Sequence, residues 1–171
     1  DICRKSAEEA VRTGSIEAYP VPRMPGLEFS AAVFVTIRRE GELRGCIGTV
    51  EARQILPRAV ALAAASAAVS DLRFPPVTLE ELIHLSFEIS ILTDFREIHD
   101  TGEIEIGRHG LLVVQGHCRG LLLPQVAREH KLDREQFLEQ TCRKAGLPPE
   151  AWMSPATSIS LFESQILSEL L

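Results

Sequence analysis

The sequence has little of what marks membrane, secreted or nucleotide-binding proteins. Its longest apolar stretch, Ala59 to Val69, is mostly alanine and is much shorter than the about 20 residues that a membrane-spanning helix needs. No basic segment followed by an apolar run opens the chain, so we expect no signal peptide. Neither a G-x-G-x-x-G segment nor a P-loop is present, which excludes the common nucleotide-binding signatures.

Cysteines are few and are not grouped. The four are Cys3, Cys46, Cys118 and Cys142, and none forms a C-x-x-C pair or lies at zinc-finger spacing from a histidine. A secreted disulfide scaffold is denser in cysteine for its size. We therefore expect four reduced thiols, no metal site and a cytoplasmic protein.

The chain has no excess of positive charge, since its formal net charge is -6. This balance argues against a nucleic-acid footprint and against attraction to an anionic membrane. An apolar fraction of 45% and a charged fraction of 25% are typical of a globular domain. A length of 171 residues suits a single domain, which could consist of a large and a small lobe.

Hydrophobic periodicity and chain breakers predict helices and strands in an irregular order. Because the two do not alternate regularly, we expect an α+β fold with a mixed, largely antiparallel sheet. Helices are predicted at 2–13, at 54–70 and from the N-cap Asp133 to Gly146, with helical turns opened by Thr78 and Pro124. Strands are predicted at 31–37, 43–50, 84–92, 103–106, 111–115, 121–123 and 157–163, with turns at 107–110 and 116–120.

The segment 43–48 breaks the rules for a strand. Gly45 and Gly48 flank Cys46, and strand glycines mark a bulge or the close approach of a ligand or a backbone. By the period of two, Arg44 and Cys46 share a face, and a nearby cation favours the thiolate form of a cysteine. Cys46 is therefore a candidate reactive or ligand-holding thiol. The alternative is that Cys46 is a core residue and the glycines only permit a bend.

The same segment carries a family resemblance. Leu43-Arg44-Gly45-Cys46-Ile47-Gly48 resembles the hallmark motif of the AMMECR domain family, and Asp71 to Pro76 resembles its D-x-R-F-P-P segment. Further matches follow in order between Val33 and Trp152. The resemblance implies a two-lobed α+β fold with the Cys46 segment at a cleft. It also implies two partners, a Memo-like protein and a radical S-adenosylmethionine protein, in the AmmeMemoRadiSam system.

Two further candidates lie in the first half of the chain, each beside a simpler interpretation. Arg73 could hold a carboxylate or phosphate bidentately, or it could pair with Asp71. Glu88 lies on the polar face of the strand 84–92 and is either a general base or a solvated carboxylate.

The second half of the chain offers two more candidates. His109 lies in a turn, where it could transfer protons, although a turn histidine is more often simply exposed. Gln125 follows Pro124 and could bind a ligand amide or carboxylate, or form a structural hydrogen bond.

Two hypotheses for function follow. In the first, Cys46 is a nucleophile or substrate anchor activated by Arg44, with Glu88 or His109 handling protons and Arg73 holding an anionic substrate. In the second, the chain is a binding or adaptor module and its partners perform the chemistry. The chain shows no cluster-binding cysteine motif, which favours a helper role over that of the radical enzyme. The sequence does not identify a cofactor.

Overall fold

The computed structural model describes residues 1–169, which form two compact units. The first unit comprises Asp1–Leu92 together with the described residues from Gln165 onward, and the second comprises Thr93–Ser164. No helix within residues 1–169 is long and apolar enough to cross a membrane.

The first unit is one sheet with two helices. In chain order the elements are α1 (Ile2–Thr13), β1 (Ala32–Arg39), β2 (Glu42–Thr49), α2 (Leu56–Val69), a 3₁₀ turn (Leu82–His84), β3 (Leu85–Leu92) and β8 (Ser164–Ser168). Strand order in the sheet is β2-β1-β3-β8, and β1 pairs antiparallel with both β2 and β3.

The core of this unit lies between the sheet and α2. Val33, Val35 and Ile37 alternate along β1 and are fully buried, because this face of the strand packs on the helix. Ten of the fourteen residues of α2 are buried, and seven of these are alanines. Small side chains let the backbone of α2 approach the sheet closely, and this approach shapes the candidate site.

The second unit has a sheet and core of its own. The elements are β4 (Arg96–Ile98), β5 (Gly110–Gln115), β6 (Cys118–Leu122), α3 (Pro124–Glu129), α4 (Arg134–Lys144) and β7 (Ser158–Phe162), with 3₁₀ turns at Thr101–Glu103 and Pro149–Met153. Strand order is β4-β7-β5-β6, and the three pairs are antiparallel. Phe137 and Leu138 of α4 pack on Leu111, Val113 and Ile159 of the sheet.

The α+β class and the antiparallel pairing predicted from the sequence are confirmed, with two sheets where one was expected. The predicted turn at 116–120 is wrong beyond His117, because β6 starts at Cys118. Gly120 lies inside that strand, and a glycine is needed there because the backbone of Ala145 leaves no space for a Cβ. The predicted strand at 103–106 is wrong as well, since the segment holds the end of a 3₁₀ turn and an isolated bridge.

Candidate functional site

The segment 43–48 forms most of β2 and contains a β-bulge. Gly45 lies opposite Ile37, whereas Leu43 lies opposite the next residue of β1, Arg38. Arg44 is therefore the extra residue of the bulge. Because a bulge re-aims the side chain it inserts, the strict alternation that placed Arg44 and Cys46 on one face does not carry across it.

The two glycines of the segment are required by neighbouring protein atoms. A Cβ at Gly45 would overlap the carbonyl oxygen of Ala67 in α2. A Cβ at Gly48 would overlap the carbonyl oxygen of Val33 and the ring of Phe34. Of the roles predicted for strand glycines, the structure realises the bulge and the close approach of protein, in particular of α2 onto β2.

Both backbone polar groups of Cys46 are held by side chains. Its N–H donates to Asp71 Oδ2 at 2.8 Å, and its carbonyl oxygen accepts from Arg73 Nη2 at 3.1 Å. Because β2 is the outer strand of its sheet, this Asp71–Arg73 clamp satisfies groups that a further strand would otherwise pair. The clamp thus fixes the backbone on either side of the thiol.

The clamp is itself an ion pair. Asp71 accepts from Arg73 Nε at 2.9 Å and from Arg73 Nη2 at 2.7 Å, and its side chain is only 4% exposed. The Arg73 guanidinium, helped by the backbone N–H groups of Cys46 and Arg73, holds the pKa of Asp71 far below its usual range. Asp71 is therefore ionised throughout the physiological range.

Arg73 is the cation that the structure brings to Cys46. The pKa of Arg73 is raised, first by its hydrogen bond with Asp71 and in smaller part by Cys46. Its side chain stays 49% exposed and stacks on the Phe74 ring at 5.5 Å. Pairing with Asp71 was one of the two interpretations of Arg73, and the half-exposed guanidinium leaves the ligand-holding role as a prediction.

Arg44 donates hydrogen bonds to Glu81 and not to Cys46. Its Nε and Nη2 donate to the two carboxylate oxygens of Glu81, each at 3.1 Å. The side chains are 12% and 17% exposed, and the Arg44 hydrogen bond lowers the pKa of Glu81. Glu81 also accepts from the N–H of Thr78 at 2.9 Å, which caps the turn that Thr78 opens. Within residues 1–169, Arg44 Nη1 is buried without an acceptor.

Cys46 and Glu88 lie on the same face of the first sheet, in one row across three strands. Thr36 of β1 pairs with Cys46 on one side and with Glu88 on the other, and its hydroxyl donates to Cys46 Sγ at 3.3 Å. Adjacent strands are about 4.8 Å apart, so the backbones of Cys46 and Glu88 are roughly 10 Å apart. The Glu88 carboxylate accepts from Ser168 Oγ at 3.5 Å, and Ser168 belongs to β8, on the side of β3 away from Cys46.

Ser90 is a polar residue of this face that the sequence did not single out. It lies two residues beyond Glu88 on β3, opposite Phe34, and is 1% exposed. Its hydroxyl has no hydrogen-bond partner among the described residues. The alternation of β3 placed Ser90 on the polar side, but nothing in the pattern distinguished it from Ser86.

His109 and Gln125 both belong to the second unit. His109 is 8% exposed, and its Nδ1 accepts from the N–H of Glu105 at 3.1 Å. The expectation of an exposed turn histidine is wrong, because the ring packs into the turn and satisfies its backbone. Gln125 lies in the first turn of α3, and its side-chain oxygen is buried without a partner within the described part of the chain.

The four cysteines are free thiols in two kinds of surroundings. Burial raises the pKa of Cys3 to about 12 and also raises the pKa of Cys142. Cys46 and Cys118 are only partly buried. Residues 1–169 contain no group of three or more histidine, cysteine, aspartate or glutamate side chains arranged to hold a metal ion.

Fold and site together define an α+β protein of two antiparallel sheets, with a glycine-flanked cysteine held at a sheet edge by a D-x-R segment. The AMMECR1 family model matches residues 1–167, and the chain belongs to this family.

Similar proteins agree with this assignment. The chain is 44% identical to protein Mbar_A1807 of Methanosarcina barkeri over 98% of its length and 87% of that protein. A protein of Thermococcus gammatolerans is also 44% identical, over 98% of the chain and 87% of the relative. The crystal structure of uncharacterized protein PH0010 from Pyrococcus horikoshii matches with a TM-score of 0.92 and 40% identity, covering 98% of this chain and 88% of that one.

Proposed function

We propose that this chain handles a small molecule on the polar face of its first sheet, with the Cys46 thiol as a reactive group or ligand anchor. The observation that supports the proposal is the row formed by Cys46, Thr36 and Glu88. The chain would act as one component of a system with a Memo-like protein and a radical S-adenosylmethionine protein, the partners that the family resemblance implies.

The hydrogen bonding of Glu88 favours an anchor over a nucleophile with its own base. A general base must come within about 3.2 Å of the proton it takes, or reach it through one water. Because the Glu88 carboxylate accepts from Ser168 on the side of β3 away from Cys46, Glu88 is better placed to bind a far end of the ligand than to deprotonate Cys46. Arg73, whose guanidinium donates to the carbonyl oxygen of Cys46 at 3.1 Å, supplies a positive charge close to the thiol. A fitting ligand carries an electrophilic carbon near Cys46 and a cation or hydrogen-bond donor near Glu88.

The test is the alkylation rate of each cysteine by iodoacetamide in the folded protein at pH 7, read by mass spectrometry. Cys46 is expected to react fastest. Cys3 and Cys142 should react slowly, because burial shields both and raises the pKa of each. Cys118 is similarly accessible and is the internal control for exposure alone. A higher alkylation rate at Cys46 than at Cys118 is therefore due to the surroundings of Cys46.

Variants of the two arginines separate their roles. Arg73→Ala is expected to slow alkylation of Cys46 severalfold, since it removes the nearby cation, whereas Arg73→Lys should restore part of the rate. Arg44→Ala should leave the rate much closer to that of the parent protein, because Arg44 is held by Glu81. Circular dichroism checks that each variant is folded. A Cys46 that reacts no faster than Cys3 and Cys142 until the protein unfolds would remove the thiol from the proposal.

A second candidate function is an adaptor that binds partner proteins, and one observation favours it. Leu72 is 100% exposed and Ile83 is 79% exposed, and Leu72 lies between the two residues of the Asp71–Arg73 clamp. Contiguous exposed apolar surface is typical of protein contacts, and the adaptor function requires these two side chains to be part of such a surface. Leu72→Ser with Ile83→Ser should weaken binding of a purified Memo-like partner and leave Cys46 alkylation unchanged if the adaptor function is correct. The small-molecule function predicts no change in either measurement.

A further inference from the structure

We infer that the second unit carries a separate groove that binds a small amphiphilic carboxylate, with the apolar tail on its floor and the carboxylate at a basic rim. The groove has a volume of about 490 Å³. It involves none of the residues of the Cys46 segment and is independent of the function proposed for them.

The floor of the groove is aliphatic. Leu122 comes from β6, Val126 from α3, and Leu132 from the connection between α3 and α4. All three are half-buried and pack with one side on the core of the second unit. The remaining side of each faces the groove, so a hydrocarbon chain placed there would remove apolar surface from water.

The rim is basic in a chain whose net charge is -6. His130, Arg143 and Lys144 line it. Arg143 approaches Glu139 only to 3.9 Å, which is too long for a hydrogen bond, and within residues 1–169 the ammonium group of Lys144 has no acceptor. Cations in the last turn of α4 also stabilise the helix dipole, but that effect does not require an aliphatic floor beside them.

A second apolar groove, in the first unit, shows the contrast. It is lined in part by Arg23 and Arg58. Arg23 forms a close pair with Glu28 at 2.7 Å, whereas Arg58 lies 3.7 Å from Glu17, beyond hydrogen-bonding distance, as Arg143 does from Glu139. The groove at Leu132 differs in having Lys144 as well, which has no carboxylate partner within residues 1–169 and leaves charge for an anionic ligand.

Size favours a small molecule over a protein partner. A volume of 490 Å³ falls within the range of about 300 to 1,000 Å³ that is usual for small-molecule sites. A stable protein contact takes roughly 20 to 30 residues on each side, far more than line this groove. A carboxylate meets Arg143 by a bidentate, charge-assisted hydrogen bond, and the tail then runs along the floor.

The experiment is an NMR titration of the methyl-labelled full chain with octanoate and then decanoate. The methyl groups of Leu122, Val126 and Leu132 are expected to shift, with those of Val33 in the first core as an unaffected reference. An octanoate Kd on the order of millimolar suits a ligand of this size. The two extra methylenes of decanoate should tighten binding on the order of tenfold where they are buried.

Matched variants test the rim and the floor separately. Arg143→Ala with Lys144→Ala should weaken octanoate binding at least fivefold, whereas Lys5→Ala with Arg12→Ala on α1 removes the same charge and should leave it unchanged. Gln140→Trp should block the groove without changing charge. Octanol, which lacks the carboxylate, should bind more weakly than octanoate.

Three results would overturn the inference. One is the absence of chemical shift changes at the floor methyl groups when the octanoate concentration is about ten times the expected millimolar Kd. Another is equal affinity for octanol and octanoate, which would remove the basic rim from the site. The third is binding of a helical peptide of leucine and glutamate at this groove with no binding of octanoate, which would assign the surface to a protein partner.

Discussion

Removing the charge of Asp71 should destabilise the first unit, and Asp71→Asn is the mildest way to do it. The asparagine is close in shape and can still accept the N–H of Cys46, but it loses the ion pair with Arg73. A hydrogen bond to a charged group contributes about 1.5 to 3 kcal/mol. Because Arg73 is 49% exposed, water partly replaces the lost contact, and we expect a loss near the lower end, about 2 kcal/mol.

Urea unfolding followed by circular dichroism at pH 7 measures this loss. Glu28→Gln is the matched control, since it breaks an ion pair in which the Arg23 side chain is 84% exposed and the Glu28 side chain is 49% exposed. Exposed pairs contribute less than about 1 kcal/mol. Hydrogen exchange adds a local measurement, because the N–H of Cys46 donates to Asp71 and should exchange faster in the variant.

The effect of Asp71→Asn should depend on pH with a definite sign. The pKa of Asp71 is lower in the folded protein than in the unfolded chain, where a carboxyl of this type titrates near about 3.9. Its contribution to the free energy of unfolding is therefore fully present above about pH 5 and is lost as the pH falls toward the folded value. The difference between parent and variant should be constant from about pH 5 to 8 and shrink between about pH 5 and 3. An equal difference at pH 3 and pH 7, or a loss no larger than that of Glu28→Gln, would refute the argument.

Three other substitutions test the packing around the site and the second unit. Gly45→Ala should destabilise by about 1 to 3 kcal/mol in urea unfolding, because its Cβ would overlap the carbonyl oxygen of Ala67; an unchanged midpoint would contradict the close approach. Glu81→Gln leaves the largely buried Arg44 without its counter-charge and should lower the free energy of unfolding by about 3 kcal/mol. A decrease of less than about 1 kcal/mol would indicate that water reaches the pair. Asp133→Ala removes the capping box of α4 and should lower stability by about 1 kcal/mol in thermal unfolding, and no change would mean that the cap is dispensable.

Features set by neighbouring residues could be predicted from the sequence. The helix at 2–13 ends at Gly14, which has the left-handed conformation expected of a helix stop. The alternation predicted for the strand at 84–92 holds at its start, where Leu85 and Phe87 are buried and Glu88 lies on the other face. It does not hold at Ser90, which lies on the polar face but is 1% exposed. The helix end and the strand alternation each depend on residues that are only a few positions apart in the sequence.

Features set by distant residues could not be predicted. Asp71 is 25 positions from the N–H it accepts, and Glu81 is 37 positions from Arg44, so no local pattern links them. The strand Arg96–Ile98 has three residues, too few for a periodic signal. Gly120 was interpreted as part of a turn, but it lies within β6. The reason for glycine at this position is its contact with the backbone of Ala145, which the sequence does not reveal.

Of the two arginines near Cys46, the one that donates a hydrogen bond to it is not the one that the sequence motif indicated. Adjacency in sequence made Arg44 the expected neighbour of the thiol, but the bulge and Glu81 engage its guanidinium in a mostly buried ion pair. Arg73, 27 positions away, reaches the Cys46 carbonyl. The two substitutions should therefore separate in two measurements. Arg44→Ala should lower the free energy of unfolding more than the alkylation rate of Cys46, and Arg73→Lys should keep most of the stability while changing that rate. If Arg44→Ala slows alkylation as much as Arg73→Ala does, the cation beside the thiol is the one that the sequence indicated.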